Sequence, residues 1–411
     1  MSIVQKKKII NDPVYGFVSI PSGLIYDLIE QAWFQRLRRI RQLGLTHYVY
    51  PGAQHTRFQH VIGAVHLTQQ AIEILRSKGI EISEQEKEAV CAAVLLHDMG
   101  HGPYSHTLEY MLVKDVSHES ISIHYMNLLN QQMNGRLDMC IDIFSNKYPK
   151  KFLHQLVSSQ LDMDRLDYLG RDSFFTGVIE GAVGNDRIIN MLNVHNNELV
   201  IDEKGIYSVE KFLIARRLMY WQVYLHKTVI SAESLLIKIL ERARHLAFQK
   251  VDLFGTPALK YFLYNDINKT NFFTDPKNIN QYSNIDDEDV FTAIKVWCQH
   301  SDEILSKMCC MLRDRKLFKT EISKETFSDE RINQIKERIM ETHGISSTDI
   351  DYFVFTDSVK NRAYNLNNIN IKILYKNGEV KDIAKASDQD NIEALGQTVT
   401  KYYLCYLRTQ S

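Results

Sequence analysis

Only seven prolines interrupt this 411-residue chain. Proline removes a backbone donor and breaks a helix interior, so long stretches are free to coil. In those stretches the apolar residues recur at 3.6-residue spacing, which predicts a mainly α fold. Residues 22–44 begin with Ser22 and put Leu24, Ile25, Leu28 and Ile29 on one helical face. A loop over Tyr48–Gln54, with Pro51 and Gly52, comes next. Thr56-Arg57-Phe58-Gln59 then fits a capping box, and Val61, Ala64, Val65, Thr68, Ile72 and Leu75 continue at helical spacing. Ser83-Glu84-Gln85-Glu86 opens another helix, which ends at His97-Asp98 where Gly100, Gly102 and Pro103 stop it. Residues 151–174 and 208–248 read as further helices, the second unusually long.

The pattern changes after residue 250. Asn and Asp become frequent between 265 and 290, which suggests a surface excursion. Residues 369–386 alternate apolar and polar around Asn377-Gly378, a strong hairpin signal. A short helix over Asp390–Lys401 and a strand over Tyr402–Leu407 are expected to follow. The expected organisation is a helical catalytic core over residues 1–250 and a smaller helical and α+β region over 251–411.

Composition excludes several classes. Apolar residues make up 45% and charged residues 24%, ordinary for a globular chain. The longest apolar run, Ala89–Leu96, is too short to span a bilayer. Three lysines near the N-terminus have no apolar stretch behind them, so no secretory signal is expected. A net charge of −1 gives no bulk attraction to nucleic acid or membrane. The six cysteines lack any CxxC spacing and read as reduced thiols of a cytoplasmic protein.

Histidine carries the chemical signal. Nine of the fifteen fall between His47 and His124. His97-Asp98, with His60 on an earlier helix and Asp162 and Asp164 on a later one, makes a mixed nitrogen and oxygen set for a divalent ion. Such a site leaves room for a water that the metal acidifies. His106 and Glu109 stand at i and i+3, so the carboxylate can orient the imidazole for proton transfer. Asp164, Asp167, Tyr168 and Arg171 share one helical face, with Asp172 adjacent. Arg57 lies one turn before His60, and its planar fork suits phosphate oxygens. The run Arg36, Arg38, Arg39, Arg41 reads from spacing alone chiefly as a solvated face.

The strings YPGAQHTRFQH, LLHDMGHGPYSHTLE and LDMDRLDYLGRD together resemble the HD-domain phosphohydrolases, and more narrowly the deoxynucleoside triphosphate triphosphohydrolases. The match is dense from Lys8 to Lys227, and the sterile alpha motif of the vertebrate enzyme has no counterpart. The resemblance implies an HD-domain helical core and hydrolysis of a dNTP to deoxynucleoside and inorganic triphosphate. It implies metal ligands at His60, His97, Asp98 and Asp164, and sets Asp162 aside as two residues too early. His106 matches the catalytic histidine and Glu109 its orienting acid. His101, His118, Arg57 and Arg165 match phosphate contacts, the last often Lys in the family. Gln42, Leu43, Tyr168 and Asp172 match deoxyribose-recognition positions. Arg216, Tyr224, His226 and Lys227 resemble residues that touch the triphosphate, the base or a neighbouring nucleotide.

The resemblance also implies a divalent cofactor (Fe, Mn, Zn or Ni, with Mg on the substrate phosphates) and a homo-oligomer, dimer or tetramer. A nucleotide activator would meet Lys8, Gln35 and Arg38. The activator's base-reading aspartate, however, is Glu30 here, in a segment one residue longer. Two alternatives compete. One is another HD-type nucleotidase or phosphodiesterase, although the Gly-Tyr-Pro motif of cyclic-dinucleotide phosphodiesterases is missing. The other is a non-catalytic nucleotide sensor. No membrane partner and no extended nucleic-acid groove are expected.

Overall fold

Both capping boxes form, and each opens a helix of the core. The structure is a computed structural model that describes residues 8–361, 364, 370–388 and 396–408. The Gln59 side chain accepts from Thr56 N at 2.8 Å, starting the Arg57–Ser77 helix. Ser83 and Glu86 bond each other's backbone N–H at 3.1 and 2.8 Å, starting Glu84–Leu96. Arg57–Ser77 packs between Glu84–Leu96 and Met163–Thr176, burying Val61, Ile62, Val65, Ile72 and Leu75. Each such side chain contributes about 1.5–3 kcal/mol of burial. A Cβ at Gly63 would run into the Asp167 carboxylate and the Arg171 guanidinium. Glycine there is what lets the two helices approach.

The chain is mainly α, but three expected helices are broken. Residues 22–44 divide into Leu24–Ile29, Ala32–Gln35 and a 3₁₀ turn over Arg36–Arg39. The buried Arg36 guanidinium donates to Met99 O at 2.9 Å and Ile285 O at 3.2 Å, and these distant acceptors override local periodicity. The span 151–174 becomes Lys151–Val157 and Met163–Thr176 because Asp162 caps the second, accepting from Arg165 N at 2.7 Å. The span 208–248 becomes Ile206–Met219, a π turn over Tyr220–Tyr224, and Lys227–Phe248. Leu225 N reaches back to Tyr220 O at 2.7 Å, and His226 caps the following helix.

Among the described residues, three small sheets flank the helices. Lys8–Asp12 and Gly16–Ile20 form an antiparallel hairpin. The expected hairpin around Asn377-Gly378 pairs Lys372–Leu374 with Val380–Asp382, and it extends the Leu192–His195 and Glu198–Asp202 pair into a four-stranded sheet. Its last residues, Ile383–Ala386, turn helical. Val399–Tyr406 runs between Lys319–Ser323 and Val354–Asn361. Of the helix expected over Asp390–Lys401, residues 390–395 lie outside the described residues and Val399–Lys401 are strand. Residues 265–290 are only in part a surface excursion: 265, 266, 269, 270 and 274–277 are exposed, whereas Asn278, Tyr282, Ile285, Asp286 and Asp287 are buried. All six cysteines are free. Among the described residues no helix is long and apolar enough to cross a membrane.

Candidate active site

His97 closes the Glu84–Leu96 helix as its cap residue, and the turn behind it aims His97 and Asp98 at the same point as His60 and Asp164. His60 Nε2 lies 3.1 Å from Asp164 Oδ1 and 3.7 Å from Asp98 Oδ2. His97 Nε2 lies 3.3 Å from Asp98 Oδ1 and 3.5 Å from Asp164 Oδ1. Both Nε2 atoms are buried without a hydrogen-bond partner. Their opposite nitrogens are fixed: His60 Nδ1–H donates to Asp167 at 2.7 Å and His97 Nδ1–H to Val94 O at 2.6 Å. Each imidazole therefore presents a lone pair to the cluster, as a metal-ligating histidine does. His60, His97 and Asp164 could hold a divalent ion, with Asp98 alongside.

The electrostatics agree with that donor set. Burial alone would lower both imidazoles, but Asp164, Asp167 and Asp98 hold His60 up at about 10. Asp98 and Asp164 likewise hold His97 up at about 9. The cluster calls for positive charge, which a cation supplies. Arg57 Nη1 donates to Asp98 Oδ2 at 2.5 Å and Arg57 Nε to Ser105 Oγ at 2.9 Å, so this guanidinium stands beside the cluster. Asp162 is occupied with its helix cap and with Arg165, which accounts for its absence from the ligands. Asp167 is neutralised on its own helical face: Arg171 holds both its oxygens and in turn bonds Asp12 at 2.8 Å.

Glu109 organises the next group. Its carboxylate accepts from His106 Nδ1 at 3.1 Å, from His118 Nδ1 at 2.6 Å and from His118 N at 2.9 Å. Against burial, those two histidines pull the Glu109 carboxyl well below its ordinary value. The Nε2 edges of His106 and His118 are thereby left free. His101 Nε2 faces Asp98 Oδ1 at 3.3 Å, and its Nδ1 is buried and unpartnered. The His101 and His118 rings stack at 3.8 Å with 18° between their planes. Ligands to one ion bind in their own ring planes, so this parallel pair suits two oxygens of an anion better than a second metal. Backbone strain accompanies the arrangement: Tyr104 and Ser105, just before His106, both have φ of 54°. Asp287 accepts from Tyr104 N at 2.8 Å and holds that turn.

A cavity of about 840 Å³ runs from this cluster. Gln42, Leu43, Arg57, His97, Asp98, His101, His106, His118, Asp164, Arg165, Tyr168, Asp172, Arg216 and Tyr224 all line it. Asp172 accepts from the Tyr224 hydroxyl at 2.6 Å and bonds His55 Nε2 at 2.7 Å. The π turn is what carries Tyr224 to Asp172. Lys8, Gln35 and Arg38 sit elsewhere: Lys8 pairs with Glu30 at 2.8 Å, Arg38 donates to Gln35 at 2.7 Å, and Arg38 lies 3.5 Å over the Phe58 ring. Of the arginine run, Arg38 and Arg39 are exposed as a solvated face would be, Arg36 is buried, and Arg39 and Arg41 pair with Asp286 and Asp287. His226 caps a helix and is not among the cavity-lining residues. Sequence reasoning missed His55, Tyr220 and Glu233. His55 stood within the quoted YPGAQHTRFQH string, whereas nothing local marked Glu233 in its helix.

Residues 57–136 match the HD domain family and residues 183–253 the HD associated region. A crystal structure of a phosphohydrolase from Bacteroides thetaiotaomicron superposes with a TM-score of 0.95 at 54% identity, covering 98% of this chain and 100% of that one. The protein YwfO of Bacillus subtilis is 30% identical over 93% of this chain and 88% of its own length. The deoxynucleoside triphosphate triphosphohydrolase SAMHD1 homolog of Dictyostelium discoideum is 32% identical over 56% of this chain, a match spanning 48% of that enzyme. A helical core with a His-Asp pair at a helix end, matched by the HD family over that segment, defines an HD-domain protein. With full-length similarity to a phosphohydrolase beside it, the chain belongs to the HD-domain phosphohydrolases.

Proposed function

We propose that the protein hydrolyses 2′-deoxynucleoside triphosphates to deoxynucleoside and inorganic triphosphate. One observation carries this: the Met163–Thr176 helix acts as a ruler along the cavity. Asp164 stands in the histidine cluster, Tyr168 one turn on, and Asp172 with Tyr224 one turn further, about 6 Å and about 12 Å along the axis. A phosphate at the cluster leaves the sugar over Tyr168 and its 3′-hydroxyl towards Asp172 and Gln42, where a packed tyrosine ring disfavours a 2′-hydroxyl.

A divalent ion held by His60, His97, Asp98 and Asp164 (iron, manganese, zinc or nickel, with magnesium on the phosphates) would supply positive charge and an acidified water. The chain's own residues do the rest. Arg57, Arg165, Arg216, His101 and His118 neutralise phosphate oxygens. His106, oriented by Glu109, gives its Nε2 proton to O5′ as the bond from the α-phosphorus to O5′ breaks. The oxygen of water bonds to that phosphorus and leaves with the triphosphate.

Further parts of the proposal have their own support. Lys8, Gln35 and Arg38 gather near Glu30 as a site for a nucleotide activator. Exposed Ile9, Phe17 and Ile179 support a homo-oligomer, dimer or tetramer, and free cysteines a cytoplasmic setting. Residues 1–250 form the catalytic core and 251–411 a region that braces it.

Chromatography of products tests the proposal, with each dNTP supplied singly and in mixture with Mg²⁺ or Mn²⁺. Deoxynucleoside and intact triphosphate are expected, with turnover confined to mixtures if an activator is needed. Release of pyrophosphate or monophosphate, or no turnover with any metal, would overturn it.

A further inference from the structure

Of the acids that line the cavity, Glu233 alone among the described residues is neither exposed nor used by the chemistry above. Asp98 and Asp164 belong to the metal cluster, Asp172 is bonded by Tyr224 and His55, and Glu119 is exposed. Glu233, from the Lys227–Phe248 helix, lines the cavity with Leu43, Gly44, Thr46, Thr107 and Leu225. Gly44 and Thr107, the residues shown against its carboxyl, are uncharged, unlike the cationic wall around the cluster. Gly44 adopts φ of 47°, and a Cβ on it would lie 3.6 Å from Glu233 Oε1 and 3.8 Å from Thr107 Oγ1. The Gly44 backbone is thus laid against this carboxyl.

We propose that Glu233 reads the nucleobase and selects guanine. The inference rests on the dNTP assignment above. With the phosphates at the cationic end, the base falls in the uncharged part of the cavity, beside Gly44 and Thr107, where Glu233 is the acid. A carboxylate only accepts hydrogen bonds, through two adjacent oxygens. Guanine offers two adjacent donors, N1–H and the 2-amino group, and matches that pair. Adenine and cytosine set a donor beside an acceptor, and thymine flanks its single N–H with carbonyl oxygens, so each leaves an acceptor facing an acceptor. The environment fits a carboxyl waiting for donors. Burial, opposed only by the Thr107 hydroxyl, pushes Glu233 up to about 7, with no basic group offsetting it. A ligand that donates two hydrogen bonds would supply what the protein does not.

Internal competition tests this. The metal-loaded protein receives the four dNTPs together at equal concentration, at about pH 8, where the carboxyl is ionised. Initial rates of the four deoxynucleosides then give the ratios of kcat/KM in one vessel, whether or not an activator is needed. Wild type is expected to favour dGTP. Glu233→Gln, which offers one donor and one acceptor, is expected to lower the dGTP to dATP ratio on the order of tenfold. Should Glu233→Gln not fold, Thr107→Val, which frees the carboxyl from its hydroxyl partner, is expected to change the same ratio. Unchanged ratios in a folded variant, or a wild type that does not favour dGTP, would overturn the base assignment alone. Absence of turnover with all four would overturn it together with the dNTP reading.

Discussion

His60 reaches the cluster with one nitrogen because its other nitrogen is tied to Asp167, and Asp167 is itself held by Arg171 and through it by Asp12. This chain of partners lies wholly inside the protein, with His60, Asp167 and Arg171 all at 0% exposure. Removing Asp167 should therefore act twice. Asp167→Ala leaves Arg171 a buried charge short of its main partner, a loss of about 3–5 kcal/mol in chemical denaturation. It also frees the His60 ring, and metal affinity measured by competition with a chelator should fall about 10–100-fold. Unaltered metal affinity in a folded variant would show that Asp167 has no hold on the site. The cluster of His60, His97, Asp98 and Asp164 could be named from the sequence because motif order and spacing mark these residues. The Arg171–Asp12 bond was not, since its partners stand 159 residues apart.

Elements whose causes are local were legible, and those with remote causes were not. The capping boxes at Thr56 and Ser83 involve residues three apart, and both form. The Asn377-Gly378 hairpin is also local. The 3₁₀ turn at Arg36–Arg39 answers to Met99 and Ile285, and the π turn at Tyr220–Tyr224 delivers a hydroxyl to Asp172, none of which periodicity can express. Residues 265–290 misled in part for a related reason, because Asn268, Asp275 and Asp286 cap helices and Asp287 holds backbone, while Asn265, Asp266, Asn280 and Asn284 remain exposed. Helix packing yields its own prediction. Gly63→Ala should force apart the Arg57–Ser77 and Met163–Thr176 helices, because the new methyl meets Asp167 and Arg171. Overpacking of this kind costs about 1–3 kcal/mol or more, read as a lower denaturation midpoint. A midpoint equal to wild type would mean the helices are not held at this distance.

On the scale of the whole molecule, the later part of the chain braces the site from behind. Arg36 bonds Ile285 O, the Tyr282 hydroxyl donates to Gly100 O at 2.8 Å, and Asp287 holds both Tyr104 N and Arg41 N. One continuous apolar cluster runs from Val18 to Leu407. A chain ended at residue 250 would expose that surface and release the turn before His106. Such a fragment is expected to lose near-ultraviolet circular dichroism and metal binding together, while the full chain melts in one transition. Tight metal binding by the fragment would mean that residues 251–411 are dispensable to the site.

The central claim is that water attacks the α-phosphorus while the chain protonates O5′. Hydrolysis of a dNTP in water enriched in ¹⁸O, followed by mass spectrometry of both products, tests it most directly. The expected result is one ¹⁸O atom in the inorganic triphosphate and none in the deoxynucleoside. Label in the deoxynucleoside, or in a monophosphate or pyrophosphate product, would contradict the account.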